Sequence, residues 1–227
     1  YMMQQESGLM NFHSPQKESV MQSTQRKENE LPIGAVILAA GESKRLGQPK
    51  QLLNFHGITF IETIIETAIA AKLAPIIVVL GYEADKILKK VNKFDKEIIQ
   101  VINREWLAGQ SSSLRVAIPF LSNTSHTIFF LVDQPQISFN HIIKLKNASK
   151  QSTNKIIATY VGDRRANPVS FSRLLYKELS EIKGDQGGRF LFANHEVERV
   201  QWDDERILID VDTPEDYERL KRAYGEK

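Results

Sequence analysis

The sequence predicts an α/β fold with a largely parallel sheet, and three observations carry that expectation. Continuous apolar runs at 33–39, 76–80 and 127–132 read as strands covered on both faces. Amphipathic runs of helical period, notably 59–72 and 138–149, lie between or after them. Strand and helix alternate from residue 33 onward, the pattern of βαβ units.

Composition narrows the function classes. The chain has 227 residues and a hydrophobic fraction of 41%, ordinary for a soluble globular protein. With 30 Lys+Arg against 28 Asp+Glu, its near-neutral charge argues against a general nucleic-acid binder, so any basic site is local. No apolar run approaches the ~20 residues that span a bilayer, so no membrane partner is expected. Cysteine is absent, which excludes disulfides, thiolate metal ligands and cysteine nucleophiles. That absence fits a reducing cytoplasm, the expected location.

Residues 1–31 are rich in Gln, Ser, Glu and Lys and hold all four methionines, without the apolar core of a secretory signal. They read as a flexible leader or tail, and residues 32–227 as one domain. The strand at 33–39 opens into small residues and then a cationic loop. The helix at 59–72 repeats Phe60, Ile61, Ile64, Ile65, Ala68 and Ile69 at three and four spacing, with Thr59 as N-cap and Glu62 three residues on. A strand at 75–80 ends at Gly81, followed by a helix at 83–91 and a strand at 98–102. A helix at 110–121 begins with polar residues. The run 127–132 stops abruptly at Asp133-Gln134-Pro135. Ser138 caps the helix to residue 149, and 155–160 is a further strand. Short strands are expected at 167–171 and 198–202, helices at 171–181 and 187–195, and an apolar strand at 207–211 interrupted by Asp210. Thr213 and Pro214 start a closing helix to residue 224, with Glu215 and Asp216 suiting its dipole.

Four features could carry chemistry. The stretch 36–50 ends a buried strand in Ala39-Ala40-Gly41 and brings Arg45 and Lys50 close behind. It is neither a Walker loop nor a Gly-x-Gly-x-x-Gly fingerprint, yet small residues and fixed cations suit a phosphate cradle as well as a solvated basic turn. Asp133 ends a buried strand, where open α/β sheets bind ligands, although turn aspartates are common there too. Asp210 and Asp212 alternate along one run and share a face, with Asp212 also suiting the turn before the last helix. Asp133 with Asp210 would offer the two carboxylates that Mg²⁺ commonly uses beside substrate phosphates. Finally, 109–115 and 184–189 each place Gly and polar residues before a helix, as an anion site or a plain cap. His56, His126, His141 and His195 show no metal-ligand spacing, and no Gly-x-Ser-x-Gly elbow is present.

Taken together, Leu38-Ala39-Ala40-Gly41-x-Ser43-x-Arg45-Leu46-Gly47-x-Pro49-Lys50 resembles the signature of the MobA-like nucleotidyltransferases, and within them the molybdenum cofactor cytidylyltransferases. The likeness continues in order through 109–115, Asp133-Gln134-Pro135, 167–171, 184–189 and 210–216. One departure falls at Ala166-Asn167, where the family often has Gly-His. The resemblance implies a Rossmann-like three-layer nucleotidyltransferase fold that transfers CMP from CTP to the molybdopterin form of molybdenum cofactor. It also implies that Leu38, Ala39, Ala40 and Gly41 line the nucleotide, Arg45 and Lys50 hold its triphosphate, and Asp133 and Asp210 hold Mg²⁺, with Mn²⁺ as the alternative ion. Arg45, Lys50 and Asp133 would be the catalytic set. Ser111, Ser112, Ser113, Asn167, Asp185, Gly187 and Arg189 would face the acceptor. A molybdoenzyme or its maturation chaperone is the expected recipient. The alternatives are GTP or another phosphorylated acceptor on the same fold, or a non-catalytic nucleotide- or cofactor-binding module.

Overall fold

A computed structural model describes residues 31–226. The tail expected at 1–31 lies, but for Leu31, outside these residues. The architecture follows from the apolar runs. Strands β1 (Ile33–Ala39), β4 (Ile76–Leu80) and β6 (His126–Leu131) form the buried centre of a seven-stranded sheet. The sheet adds β5 (Ile99–Ile102) at one edge and β8 (Arg164–Ser172), β7 (Ile156–Val161) and β9 (Val197–Gln201) beyond β6, in the order β5-β4-β1-β6-β8-β7-β9. All pairings are parallel except those of β8, which runs against both β6 and β7. A small ribbon, β2 (Asn54–Phe55) with β3 (Ile58–Thr59), stands apart.

Alternation along β1 builds three layers. Ile33, Ala35, Ile37 and Ala39 face one core, while Val36, Leu38 and Ala40 face the other. The first core takes the apolar stripes of α1 (Phe60–Ala70), α2 (Ala84–Val91), α4 (Phe139–Gln151) and α6 (Pro214–Ala223). The second takes α3 (Gln110–Ala117) and α5 (Tyr176–Glu181). The expected caps are present. Glu62 Oε2 accepts from the Thr59 N–H at 2.9 Å, Ser138 Oγ from the His141 N–H at 3.3 Å, and Thr213 Oγ1 from the Asp216 N–H at 3.2 Å.

The last third differs from expectation in three places. The chain remains in β8 through Ser172, so the helix expected at 171–181 shrinks to a 3₁₀ turn, Arg173–Leu175, and α5. The segment expected as a helix at 187–195 is a 3₁₀ run, Gly187–Ala193. The run 207–211 alternates as a strand should but joins no sheet. Side chains take the place of a ladder there: Gln136 Nε2 donates to Ile209 O at 2.7 Å and Gln134 Nε2 to Asp210 Oδ1 at 2.6 Å, while Val211 N–H donates to Asp133 O at 3.0 Å.

Candidate active site

The strands that run together end on one edge of the sheet, and the reversed β8 begins there. A cavity of about 800 Å³ opens along this edge, walled by the segments after β1, β5 and β6 and by the start of β8. On the β1 side, Ser43 takes a left-handed conformation (φ 57°), and its Oγ accepts from the Lys50 N–H at 3.2 Å. The loop thereby folds back and carries Lys50 into a nearly buried position (9% exposed). Gln51, wholly buried, donates from Nε2 to Ala39 O at 2.7 Å and Gly41 O at 3.1 Å. Ala40 O accepts from the Tyr82 N–H at 3.0 Å. All three carbonyls of the turn are therefore taken by protein donors and turned away from an incoming anion. Gly81 makes the Tyr82 contact possible: a Cβ there would lie 2.7 Å from Trp106 Cβ and 2.8 Å from Ala40 O.

The acids meet the loop's cations directly. Lys50 Nζ lies 2.6 Å from Asp212 Oδ1 and 3.4 Å from Asp133 Oδ2, and Arg45 Nη2 lies 2.8 Å from Asp212 Oδ2. Burial pushes the Asp133 carboxyl up to about 6; Lys50 opposes the shift, while Asp210 and Asp212 reinforce it. Burial also works on Asp212, but Lys50 and Arg45 outweigh it and hold that carboxyl below the ordinary range. Burial raises the Asp210 carboxyl and the like charge of Asp212 adds to it, while the hydrogen bond from Gln134 opposes the shift. As a residue Asp210 is solvent-exposed and does not line the cavity, whereas Asp212 does.

A divalent ion fits Asp133 on the structure's own terms. Asp133 Oδ1 is buried and accepts no hydrogen bond among the described residues, so the site lacks positive charge on that side. No group of three or more His, Asp or Glu side chains among the described residues has a metal-holding arrangement. An ion here would rest on two carboxylates and complete its shell with ligand oxygens, the usual habit of Mg²⁺.

The opposite wall is built on close backbone packing. Gly109 (φ +89°) approaches the 184–185 turn so closely that a Cβ would lie 2.8 Å from Gly184 C and O. Ser111 N–H donates to Gly184 O at 3.2 Å, and the first N–H of α3, from Gln110, meets Asp185 Oδ1 at 3.2 Å. Of the three serines expected to face an acceptor, only Ser113 lines the cavity. Asn103 Nδ2 donates to Ser112 Oγ at 2.7 Å and to Ser113 Oγ at 3.0 Å; Ser111 is buried beside Arg115. Asn167, Asp185 and Arg189 line the cavity, Gly187 stands behind them, and Gly188 lies on the wall instead. Ala39 likewise points into the first core, while Leu38, Ala40, Gly41, Arg45 and Lys50 line the cavity.

Sequence reasoning passed over Gln51, Trp106, Arg165 and Phe192, all of which line the cavity. Gln51 adjoins Lys50, so the cationic loop was the signal for it. The others stand outside the motifs and come together only through folding.

A mostly parallel α/β sheet whose strand ends set a cationic loop against half-buried carboxylates has the position and charge of an anion-binding site. The chain belongs to the MobA-like NTP transferase domain family, which it matches over residues 35–200. It is similar to nicotine blue oxidoreductase of Paenarthrobacter nicotinovorans, 30% identical over 85% of this chain and 98% of that one. It is also similar to the molybdenum cofactor cytidylyltransferase of Escherichia coli (strain K12), 25% identical over 86% of this chain and 98% of that one. Among solved structures it resembles Rv0371c of Mycobacterium tuberculosis H37Rv, with a TM-score of 0.74 and 29% identity over 84% of this chain and 98% of that one. A second structure of Rv0371c is a complex with manganese.

Proposed function

We propose that the protein transfers CMP from CTP to the molybdopterin form of molybdenum cofactor, giving molybdopterin cytosine dinucleotide and pyrophosphate. The observation that carries this reading is the single cavity, with Lys50, Arg45, Asp133 and Asp212 on one wall and Asn167, Asp185 and Arg189 on the other. Such a cavity brings two anionic substrates to one point. The likeness to a cytidylyltransferase supports CTP as the donor.

An acceptor phosphate oxygen attacks the α-phosphorus of CTP. A new P–O bond forms as the bond from α-phosphorus to the bridging oxygen breaks, and pyrophosphate leaves with that electron pair. The nucleophile is already an anion, so no protein base is required. Lys50 and Arg45 exchange the carboxylates they hold for triphosphate oxygens and offset the charge on the leaving group. Asp133 with Asp212 would hold the divalent ion, Mg²⁺ or Mn²⁺, whose contribution is further charge neutralisation. Asp210, engaged by Gln134, stands one step behind them.

The test measures pyrophosphate release for each nucleoside triphosphate against molybdopterin and other phosphorylated acceptors. Release is expected with CTP and the molybdopterin acceptor together. Preference for GTP, or release with a different acceptor alone, overturns the assignment. Asp133→Asn should lower kcat by about 100-fold or more while the unfolding transition persists. The likeness to a protein named nicotine blue oxidoreductase supports a second reading, in which the cavity holds a compound for oxidation or reduction. Turnover of nicotine blue with a redox partner, with no pyrophosphate from any pair, would favour it.

A further inference from the structure

The cavity carries a cation that the network around Lys50 does not use. Lys44 pairs with Glu42 at 3.3 Å, and Arg45 and Lys50 are held by Asp212 and Asp133. Arg165, at the start of β8, also lines the cavity, yet it has no acid within ion-pair distance among the described residues. The nearest acid in sequence, Asp163, pairs with Arg199 at 3.6 Å. Instead the Arg165 guanidinium lies over the Phe192 ring, with Cζ 4.0 Å from the centroid.

That stacking does two things. It holds the guanidinium over a ring face without an acid consuming its N–H donors, which remain free for a bidentate contact. It also removes the rotamer entropy that an exposed arginine otherwise loses on binding. Arg189 also lines the cavity but is exposed and lies over no aromatic ring among the described residues. Trp106, Phe129 and Phe171 also line the cavity and offer aromatic faces, among polar residues that include Gln110, Asn167 and Asp185.

We infer that Arg165, held over the Phe192 ring, binds the terminal phosphate of the acceptor and so selects for planar aromatic compounds carrying a phosphomonoester. The inference rests on the transfer reading above and deepens it. Two anionic substrates must approach within bonding distance, and the β1-side cations are matched to the triphosphate and the carboxylates. The acceptor phosphate therefore needs a separate counter-charge, and a planar fork is the side chain best matched to it.

Two experiments on the full chain test this. In pyrophosphate-release kinetics, Arg165→Gln should raise the acceptor KM at least about tenfold and leave the CTP KM within about twofold. Arg165→Lys should recover only part of the loss, since an ammonium neither stacks flat nor binds bidentately. An unchanged acceptor KM, or an equal rise in both KM values, overturns the inference. The second experiment needs no turnover. Calorimetric titration with phenyl phosphate and with phenol should show tighter binding of the phosphate by the wild type, and Arg165→Gln should abolish the difference. If the wild type does not discriminate, or the variant still does, the inference fails even where transfer activity stands. Arg165-dependent discrimination in a chain without transfer activity keeps this subsite and removes the transfer reading. Arg165 is exposed, so an unchanged unfolding midpoint is expected and serves as the folding control.

Discussion

Removing His126 should flatten the acid sensitivity of the fold by a calculable amount. His126 begins β6, is 9% exposed, and neither ring nitrogen has a hydrogen-bond partner among the described residues. Burial pushes its pKa down to about 4 from the ordinary 6.5; the nearby Asn154 backbone, outside hydrogen-bond geometry, pulls upward too weakly to offset burial. For a base whose folded pKa is depressed, the unfolded chain binds the proton more readily. The neutral ring is therefore fully tolerated above about pH 6.5, and stability is lost as pH falls from 6.5 towards 4. With those two values the loss attributable to this ring reaches about 2 kcal/mol at pH 5. Leu removes the titration and leaves no orphaned donor, so His126→Leu should be near-neutral or slightly stabilising at pH 7. The assay is urea unfolding of both proteins at about pH 7 and pH 5, comparing the two losses. Carboxylates titrate alike in both proteins, so their effect cancels. The wild type should lose about 2 kcal/mol more than His126→Leu over this range. Equal losses would refute the reasoning, because they would mean that the ring is not held neutral by burial.

Two further changes test the site's framework. Gln51→Met keeps bulk but leaves Ala39 O and Gly41 O without their donor. It should weaken CTP binding by about tenfold with little change in acceptor KM, read by titration with a fluorescent CTP analogue. Gly109→Ala combines a left-handed backbone with a Cβ pressed onto Gly184. It should cost about 1–3 kcal/mol, seen as a fall in the thermal midpoint of about 2–12 °C.

The central strands were legible because they are buried on both faces, and burial writes itself as an uninterrupted apolar run. The caps at Thr59, Ser138 and Thr213 were legible because a single side chain and its third neighbour decide them. The run 207–211 misled because its alternation is genuine: Ile207, Ile209 and Val211 are buried and Asp210 is not. What a period cannot reveal is that Gln134 and Gln136 side chains, far away in sequence, replace a neighbouring strand. The serines at 111–113 misled in part, since only Ser113 reaches the cavity. Their hydroxyls suited an anion, but Asn103 binds two of them from the end of β5, a pairing that depends on tertiary contact. Asp212 was visible beside Asp210, but that Lys50 and Arg45 meet the first and Gln134 the second depends on tertiary contact.

The reversal of β8 divides the cavity between two kinds of chain segment. Strands β1 and β6, laid down early and locked in the middle of the sheet, end in the cradle and Asp133. The other wall comes from a hairpin, β7 with β8, and from turns at 184–193 that pack against it. A hairpin tip can change length or side chains without disturbing the order of the sheet. The architecture is thus modular: one half is fixed by the core, and the other can be exchanged. If the proposed transfer holds, a library for new acceptors belongs at 162–167 and 184–193, with residues 36–51 and 133 left untouched.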